Sequence, residues 1–219
     1  GFKYIFTRKP LLALLIVSLF VNFFFGFINT LFSPLILSKT NNSSIALGVV
    51  QTSFGLGGII GGLIMTIWGG RKKKIYSILG GIFLIGICMI FFGISKTVIY
   101  LSIFGFILIL ITVIVNSSSQ AIWQSKVQSQ LQGRVFSARR VISQLVSVIP
   151  MLSSGPIVDN FLYKFFIDSN RFFSFFGPGK EGAMSFLATF SGVFASIIAL
   201  VSFTNKTVMN VENFIEKDE

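Results

Sequence analysis

The 219-residue sequence has no histidine, a single cysteine and only 7 acidic residues. Without histidine, the chain cannot build a His-ligated zinc site, a histidine general base or a Ser-His-Asp triad. One cysteine, Cys88, excludes an intrachain disulfide and a CxxC redox site. Charged residues make up 11% of the sequence, against about 25% in an average soluble domain. These shortages exclude an ordinary soluble enzyme, a disordered tail and a disulfide-stapled secreted module.

Apolar residues dominate the sequence. They make up 53% of it, and the mean hydropathy is +0.84. A helix needs about 20 apolar residues to cross about 30 Å of hydrocarbon. The alternation of polar and apolar residues that a transmembrane barrel requires is missing from runs such as residues 103–115. We therefore expect an all-α membrane protein, a six-transmembrane-helix bundle with spans at about residues 10–38, 45–69, 75–95, 97–123, 135–163 and 183–204.

The distribution of lysine and arginine predicts how these helices are oriented. Most of the 18 basic residues lie before the first helix, in the second and fourth loops, or after the sixth helix. Because cytoplasmic loops are enriched in Lys and Arg, both termini are expected in the cytoplasm of a cell-membrane protein. Residues 164–182 then form an extracytoplasmic loop, and residues 205–219 form a cytoplasmic tail. The net charge of +11 is explained by basic loops that face anionic lipid, so no nucleic-acid partner is expected.

Glycine is concentrated in the second predicted helix. Gly58 and Gly62 form a GxxxG pair, while Gly55 and Gly62 are seven residues apart and share a face. Glycines on one face allow another helix backbone to approach closely. Gly55, Gly58 and Gly62 are therefore the predicted helix-packing residues. The pattern fits either a static seam inside the bundle or an interface that moves during function.

Two basic turns are predicted on the cytoplasmic side. Residues 69–74 read Gly-Gly-Arg-Lys-Lys-Lys, and residues 131–140 combine one glycine with three arginines. Such turns anchor a protein to anionic lipid, or they form a gate in which arginine pairs with a carboxylate or a helix end of a neighbouring bundle. The candidate gate residues are Gly69, Gly70, Arg71, Gly133, Arg134 and Arg139.

Amide side chains interrupt the otherwise apolar helices. Asn22 and Asn29 are seven residues apart, which places them on one face of the phenylalanine-rich first helix. A few polar groups within an aromatic wall suit a pocket for a bulky amphipathic molecule. The alternative is a set of interhelical hydrogen bonds, each contributing about 1 kcal/mol or less. The candidate cavity residues are Asn22, Phe25, Asn29, Gln51, Asn116 and Gln144.

Acidic residues and histidines are missing from the middle of every predicted helix. Proton relays in membranes use such residues, so we expect no buried proton site within this stretch of chain. Ser117, Ser118 and Ser119 have no neighbouring base in the sequence, and a serine nucleophile needs one. We therefore expect no enzyme activity, no cofactor and no metal site.

The polar end of the fourth helix and the turn after it resemble a known family. Residues 116–124 (NSSSQAIWQ), residues 131–136 (LQGRVF) and the pair Arg139–Arg140 are similar to the C-terminal half of the macrolide-efflux and enterobactin-exporter group of the major facilitator superfamily. Residues 1–9 resemble the lead-in from that family's central loop. The resemblance implies one half of a twelve-helix fold. Its partners would be the missing N-terminal six-helix half, the lipid bilayer and a small-molecule substrate held near the midplane.

Two functions from different classes follow from these observations. The resemblance implies secondary active efflux of a bulky amphipathic compound, such as a drug, a macrolide or a siderophore-like molecule, by alternating access and proton antiport. The alternative is a complete six-span protein that acts as a homodimeric channel or small carrier. In that alternative, the glycine face of the second helix forms the seam between two copies.

Overall fold

The computed structural model describes residues 1–70, 73–167 and 175–212, and these ranges contain helices and turns but no strand. Six helical stretches are long and apolar enough to cross a membrane. The all-α, six-helix fold class expected from the sequence is therefore confirmed. The helices are α1 (Phe2–Thr7), α2 (Lys9–Lys39), α3 (Ser44–Trp68), α4 (Lys74–Ile94), α5 (Val98–Lys126), α6 (Gln132–Pro156), α7 (Tyr163–Ile167), α8 (Gly179–Thr204) and α9 (Lys206–Met209), with a π-helical segment at Ile157–Leu162 between α6 and α7.

Local sequence signals set several helix ends. Pro10 lies in the first turn of α2, where its missing N–H is not needed. The Ser43 side chain caps α3 by accepting the backbone N–H of Ala46 at 3.2 Å. At the other end of α3, Gly69 has a φ of 66°, the left-handed conformation that glycine adopts most readily. Short polar and glycine motifs therefore divide the apolar sequence into separate spans.

The six long helices pack in the order α6, α2, α8, α4, α5, α3. The central pair α4 and α8 is the best covered: 56% and 44% of the residues in their most apolar 18-residue stretches are buried. Only 17% are buried in the corresponding stretches of α3 and of α6 with its continuation to Phe166. Helices α3 and α6 thus end the series, and each leaves a large side uncovered within this chain.

Glycines bring two pairs of helices into close contact. A Cβ on Gly61 of α3 would lie 2.9 Å from the Leu110 carbonyl oxygen of α5, and Gly57 approaches α5 one turn earlier. A Cβ on Gly192 of α8 would lie 2.5 Å from the Gly86 carbonyl oxygen of α4. Any side chain at these positions would separate the helix backbones.

The glycines predicted to pack helices have a different environment. Nothing lies within 4 Å of a Cβ built on Gly55 or Gly62, and Gly58 meets only a side-chain methyl at 3.8 Å. Within the described ranges, the seam between α3 and α5 is therefore formed by the other GxxxG pair, Gly57 and Gly61. The periodicity located the glycine-rich helix, but it did not identify which of its faces meets α5.

The end of the bundle that carries both chain termini, the terminal end, is joined by a polar network. The Tyr4 hydroxyl donates to the Lys126 carbonyl at 3.1 Å, and the Lys126 ammonium donates to the Glu212 carbonyl at 2.6 Å. Val208 and Val211 of the last segment are buried in the same region as Ile5. The first and last segments of the described chain therefore close over the ends of α4 and α5.

Candidate functional site: exposed amides and the Arg139 pocket

All five candidate cavity amides occupy exposed positions. They lie on four different helices, and none of their side chains hydrogen bonds elsewhere in the described ranges. An uncovered amide in hydrocarbon is costly, because no water is present to satisfy its donors and acceptors. We call these five residues the exposed amides: Asn22 and Asn29 of α2, Gln51 of α3, Asn116 of α5 and Gln144 of α6.

On α3 the polar and small residues are segregated from the large apolar ones. Gln51 lies within about 40° of Gly55 and Gly62 on a helical projection, because successive residues turn by about 100°. Leu56 and Leu63 project to the other uncovered side and are 50% and 56% exposed. The small and polar side therefore differs in chemistry from the side that suits lipid.

The phenylalanines of α2 do not surround Asn22 and Asn29 as the sequence suggested. Phe20 points about 200° away from Asn22 around the helix, because they are two positions apart and each step turns by about 100°. It lines a wholly apolar groove of about 340 Å³ between α2 and α6, together with Ile16, Leu19, Phe23, Phe24 and Val146. The predicted cavity residue Phe25 is half-buried and lies on the side of α2 that carries Asn22 and Asn29.

Two residues selected separately from the sequence, Asn116 and Arg139, lie together. They border an open pocket of about 620 Å³ between α5 and α6. The two helices are not closely packed in the described part of the chain, so side chains span the gap between them. The Arg139 pocket is lined by Asn116, Ser117, Gln120, Phe136, Arg139, Arg140 and Ser143.

Arg139 is held in this pocket by neutral partners. Its guanidinium donates to the Ser119 hydroxyl at 3.0 Å and to the Gln120 side-chain oxygen at 3.3 Å. It also lies over the buried Trp123 ring, with 4.9 Å between the guanidinium carbon and the ring centroid. These contacts fix the position of the charge without neutralising it, because a hydroxyl, an amide and an aromatic ring carry no net charge.

The sequence analysis selected Arg139 and Asn116 but did not select their neighbours. Ser119, Gln120 and Trp123 follow Asn116 in the last turns of α5, and Arg140 and Ser143 follow Arg139 on α6. The available signal was the run of polar residues at 116–120 beside a basic helix start. Sequence spacing could not show that the two segments face each other across a gap.

The other candidate gate residues occupy turns. Gly69 and Gly70 both have positive φ values, 66° and 81°, so they form the turn that ends α3. Gly133 and Arg134 are exposed in the first turn of α6, and the Arg134 carbonyl lies against Gly1. Arg71 lies outside the described residues.

The opposite end of the bundle, the far end, carries two charged contacts. The Lys39 ammonium donates to the carbonyls of Gly93 and Ser95 at 2.5 and 2.6 Å, where α4 ends. Asp159, in the π-helical segment, pairs with Lys180 at the start of α8 at 2.9 Å. These contacts join neighbouring helices at the far end of the bundle. Across residues 1–70, 73–167 and 175–212, no three His, Cys, Asp or Glu side chains cluster in a way that could hold a metal ion.

Comparison with known proteins identifies the family. The model of the Major Facilitator Superfamily matches residues 1–151, more than half of the chain. The chain belongs to this superfamily. The superfamily consists of multi-pass membrane transporters rather than enzymes, in agreement with the six apolar helices.

Curated relatives are similar over part of their length. Macrolide efflux protein A of Streptococcus pyogenes is 29% identical over 154 residues, which cover 69% of this chain and 38% of the relative. Macrolide efflux protein A of Enterococcus faecalis is 29% identical over 149 residues, 65% of this chain and 45% of the relative. The chain thus matches less than half the length of these relatives. No solved structure matches the chain significantly.

Proposed function

We propose that this chain is the C-terminal six-helix half of a twelve-helix efflux transporter. It exports a bulky amphipathic small molecule, such as a drug, a macrolide or a siderophore-like compound, by alternating access driven by proton antiport. The observation that carries the proposal is the set of exposed amides on α2, α3, α5 and α6. The partial match to two macrolide efflux proteins supports the direction of transport and the size of the cargo.

The exposed amides require a polar neighbour. Exposure of five amides to lipid would leave their donors and acceptors unsatisfied at a cost for each one. A second six-helix half that meets α3 and α6, with a water-filled cavity between the halves, removes this cost. The partners of the chain are then the N-terminal half, the bilayer and the cargo, and the cavity residues are the exposed amides with Phe25.

In the proposed topology the terminal end faces the cytoplasm of a cell-membrane protein. Lys3, Arg8, Lys126 and Arg134 lie at that end, as the positive-inside rule requires. Alternating access then opens the cavity to the cytoplasm for loading and to the far end for release. Gly69, Gly70 and Arg71, with the start of α6, belong to the cytoplasmic gate.

Proton coupling is assigned to the other half of the transporter. The described carboxylates of this chain are Asp159 in the π-helical segment at the far end, Glu181 in the first turn of α8 and Glu212 after α9. A proton carrier near the midplane needs an ionisable group there. We therefore place the coupling acid within the N-terminal six helices.

The test is export by the full-length transporter in everted vesicles with the Asn29→Leu substitution. Loss of an amide that contacts the cargo or its water removes about 0.5–1.5 kcal/mol of binding free energy, so export should fall roughly 2- to 13-fold. The matched control is Asn210→Leu, an exposed asparagine outside the spans, which should leave export unchanged. Normal export by the correctly inserted Asn29→Leu protein would refute the cavity assignment.

One observation favours the alternative of a homodimeric channel or carrier. The side of α3 that carries Gly55 and Gly62 is uncovered and open to close helix contact. A cysteine at Gly55 distinguishes the two arrangements in the native membrane, since Cys88, the one cysteine among these 219 residues, is buried. Crosslinks between two copies of this chain would support the homodimer. Crosslinks to a preceding six-helix half would support the twelve-helix transporter.

A further inference from the structure

The Arg139 pocket contains two positive charges and no negative one. Arg139 and Arg140 both line it, and its other lining residues are neutral. The described carboxylates are used elsewhere or lie at the far end: Asp159 pairs with Lys180, Glu212 bonds to α4, and Glu181 lies at the start of α8. No carboxylate in the described part of the chain balances the charge on Arg139.

The position of the pocket makes the unbalanced charge costly. Arg139 lies seven residues, or about 10 Å of helix, beyond the first residue of α6. Charged side chains at such depth are normally paired or face a cavity. The guanidinium has five N–H donors in a fixed fork, and its two observed bonds go to neutral oxygens. Free donor capacity therefore remains toward a pocket large enough for a substituent of a small molecule.

The remaining lining groups suit an anionic oxygen. The amides of Asn116 and Gln120 and the hydroxyls of Ser117 and Ser143 provide further hydrogen-bond donors. The contact with the Trp123 ring and the two hydrogen bonds hold the guanidinium in position, and its fork of N–H donors suits bidentate binding of a planar or tetrahedral oxyanion. A cationic amine would instead be repelled by both arginines.

We propose that the Arg139 pocket binds an anionic oxygen group, a carboxylate or a phosphate, at the cytoplasmic side of the bundle. The group belongs to the exported compound or to a lipid headgroup, two sources with the same chemistry. The inference rests on the proposed function for its orientation and for its link to transport. In the cargo case, amphipathic molecules that carry an acid bind more tightly than their uncharged or cationic analogues.

The experiment measures binding to the full-length transporter in phosphatidylcholine vesicles. The probes are 1-pyrenebutyric acid, its methyl ester and 1-pyrenebutylamine, which share an aromatic body and differ in charge. Energy transfer from tryptophan to pyrene, corrected with protein-free vesicles, gives each dissociation constant. Arg139→Gln should weaken binding of the acid about 10-fold or more, change binding of the ester less than about 2-fold, and leave binding of the amine unchanged or tighter, because one repelling charge is removed.

Three further variants separate charge from folding. Arg139→Lys keeps the charge but loses the planar fork of donors, so its affinity for the acid should lie between those of the wild type and Arg139→Gln. Arg140→Gln removes an exposed charge and should weaken the acid about 3-fold without disturbing the Trp123 contact. Lys3→Gln, the matched control, removes an exposed cation at the same end of the bundle and should change nothing.

A second arm replaces about one fifth of the phosphatidylcholine with phosphatidylglycerol. If phosphatidylglycerol displaces the acid probe from the wild type, and if retention of this lipid requires Arg139, the ligand of the pocket is a headgroup phosphate. An acid probe that is not displaced identifies the cargo. The proposal is overturned if Arg139→Gln affects all three probes equally, as it would when Arg139 pairs with a carboxylate of the other half. It is also overturned if the variant affects none of them.

Energised efflux of the uncharged methyl ester is recorded separately in the wild type. Transport of the ester tests the proposed efflux function without using the anion site. Failed efflux with normal Arg139-dependent binding would therefore reject the efflux function and keep the site. Normal efflux, together with binding that does not depend on the charge of the probe, would reject the anion site and keep the efflux function.

Discussion

The Glu212 side-chain carboxylate accepts a hydrogen bond from the backbone N–H of Lys74 at 2.7 Å. Lys74 is the first residue of α4, and its N–H has no partner inside the helix. A carboxylate at this position also interacts favourably with the helix dipole. The segment after α8 therefore caps a transmembrane helix far away in sequence.

This cap predicts a loss of stability in Glu212→Ala. Removing a side-chain cap typically costs about 0.5–2 kcal/mol. The thermal midpoint of purified Glu212→Ala in detergent should therefore be lower than that of the wild type. The midpoint of Glu212→Gln should fall by less, because glutamine keeps a side-chain oxygen acceptor. Equal midpoints for the wild type and Glu212→Ala would show that the hydrogen bond does not contribute.

Adjacent glycines of α3 provide a matched pair of alanine substitutions. Gly61→Ala places a methyl 2.9 Å from the Leu110 carbonyl oxygen, so the backbone of α5 must shift, at a cost of about 1–3 kcal/mol. Gly62→Ala meets nothing within 4 Å in this chain and should be neutral or slightly stabilising. Denaturant unfolding of the isolated helical half in mixed micelles measures both. A larger loss in Gly62→Ala than in Gly61→Ala would contradict the observed register of α3 and α5.

Two lysines at the far end provide a second matched pair of substitutions. Lys39→Met leaves the Gly93 and Ser95 carbonyls without their charged donor and should destabilise the protein by about 1–3 kcal/mol. Lys96→Met removes a neighbouring cation that is exposed to solvent and should change stability by less than about 0.5 kcal/mol. Thermal unfolding of the two variants side by side checks the difference. Equal losses would mean that charge at this end matters and the carbonyl contacts do not.

Much of the architecture was predictable because membrane spans are encoded locally. Each apolar stretch must satisfy its own backbone in hydrocarbon, so length and composition alone indicate a helix. Turn signals such as Gly69, and capping residues such as Ser43, then set where helices end. The sequence predicts the fifth span to residue 163, past Asp159, and the structure extends the helical stretch through the π-helical segment to Ile167.

The candidate site was only partly predictable. The amides Asn22, Asn29 and Gln144 were selected because polar residues are rare in apolar helices, and the structure shows them exposed. The aromatic wall expected beside Asn22 lies on another side of α2, because residues two apart on a helix point in different directions. Residue spacing alone fixes relative directions on one helix, but it does not say which direction meets a neighbour.

The sequence by itself determined that this protein is an all-helical membrane bundle with a basic side and no histidine chemistry. These properties depend on composition and on the local hydrogen bonding of each helix. The tertiary structure alone decided which GxxxG pair forms the seam of α3 and α5. It also decided that Arg139 lies over Trp123 across a gap, and that Glu212 caps α4. Those features join residues distant in the chain, so they depend on how the helices rotate and pack against one another.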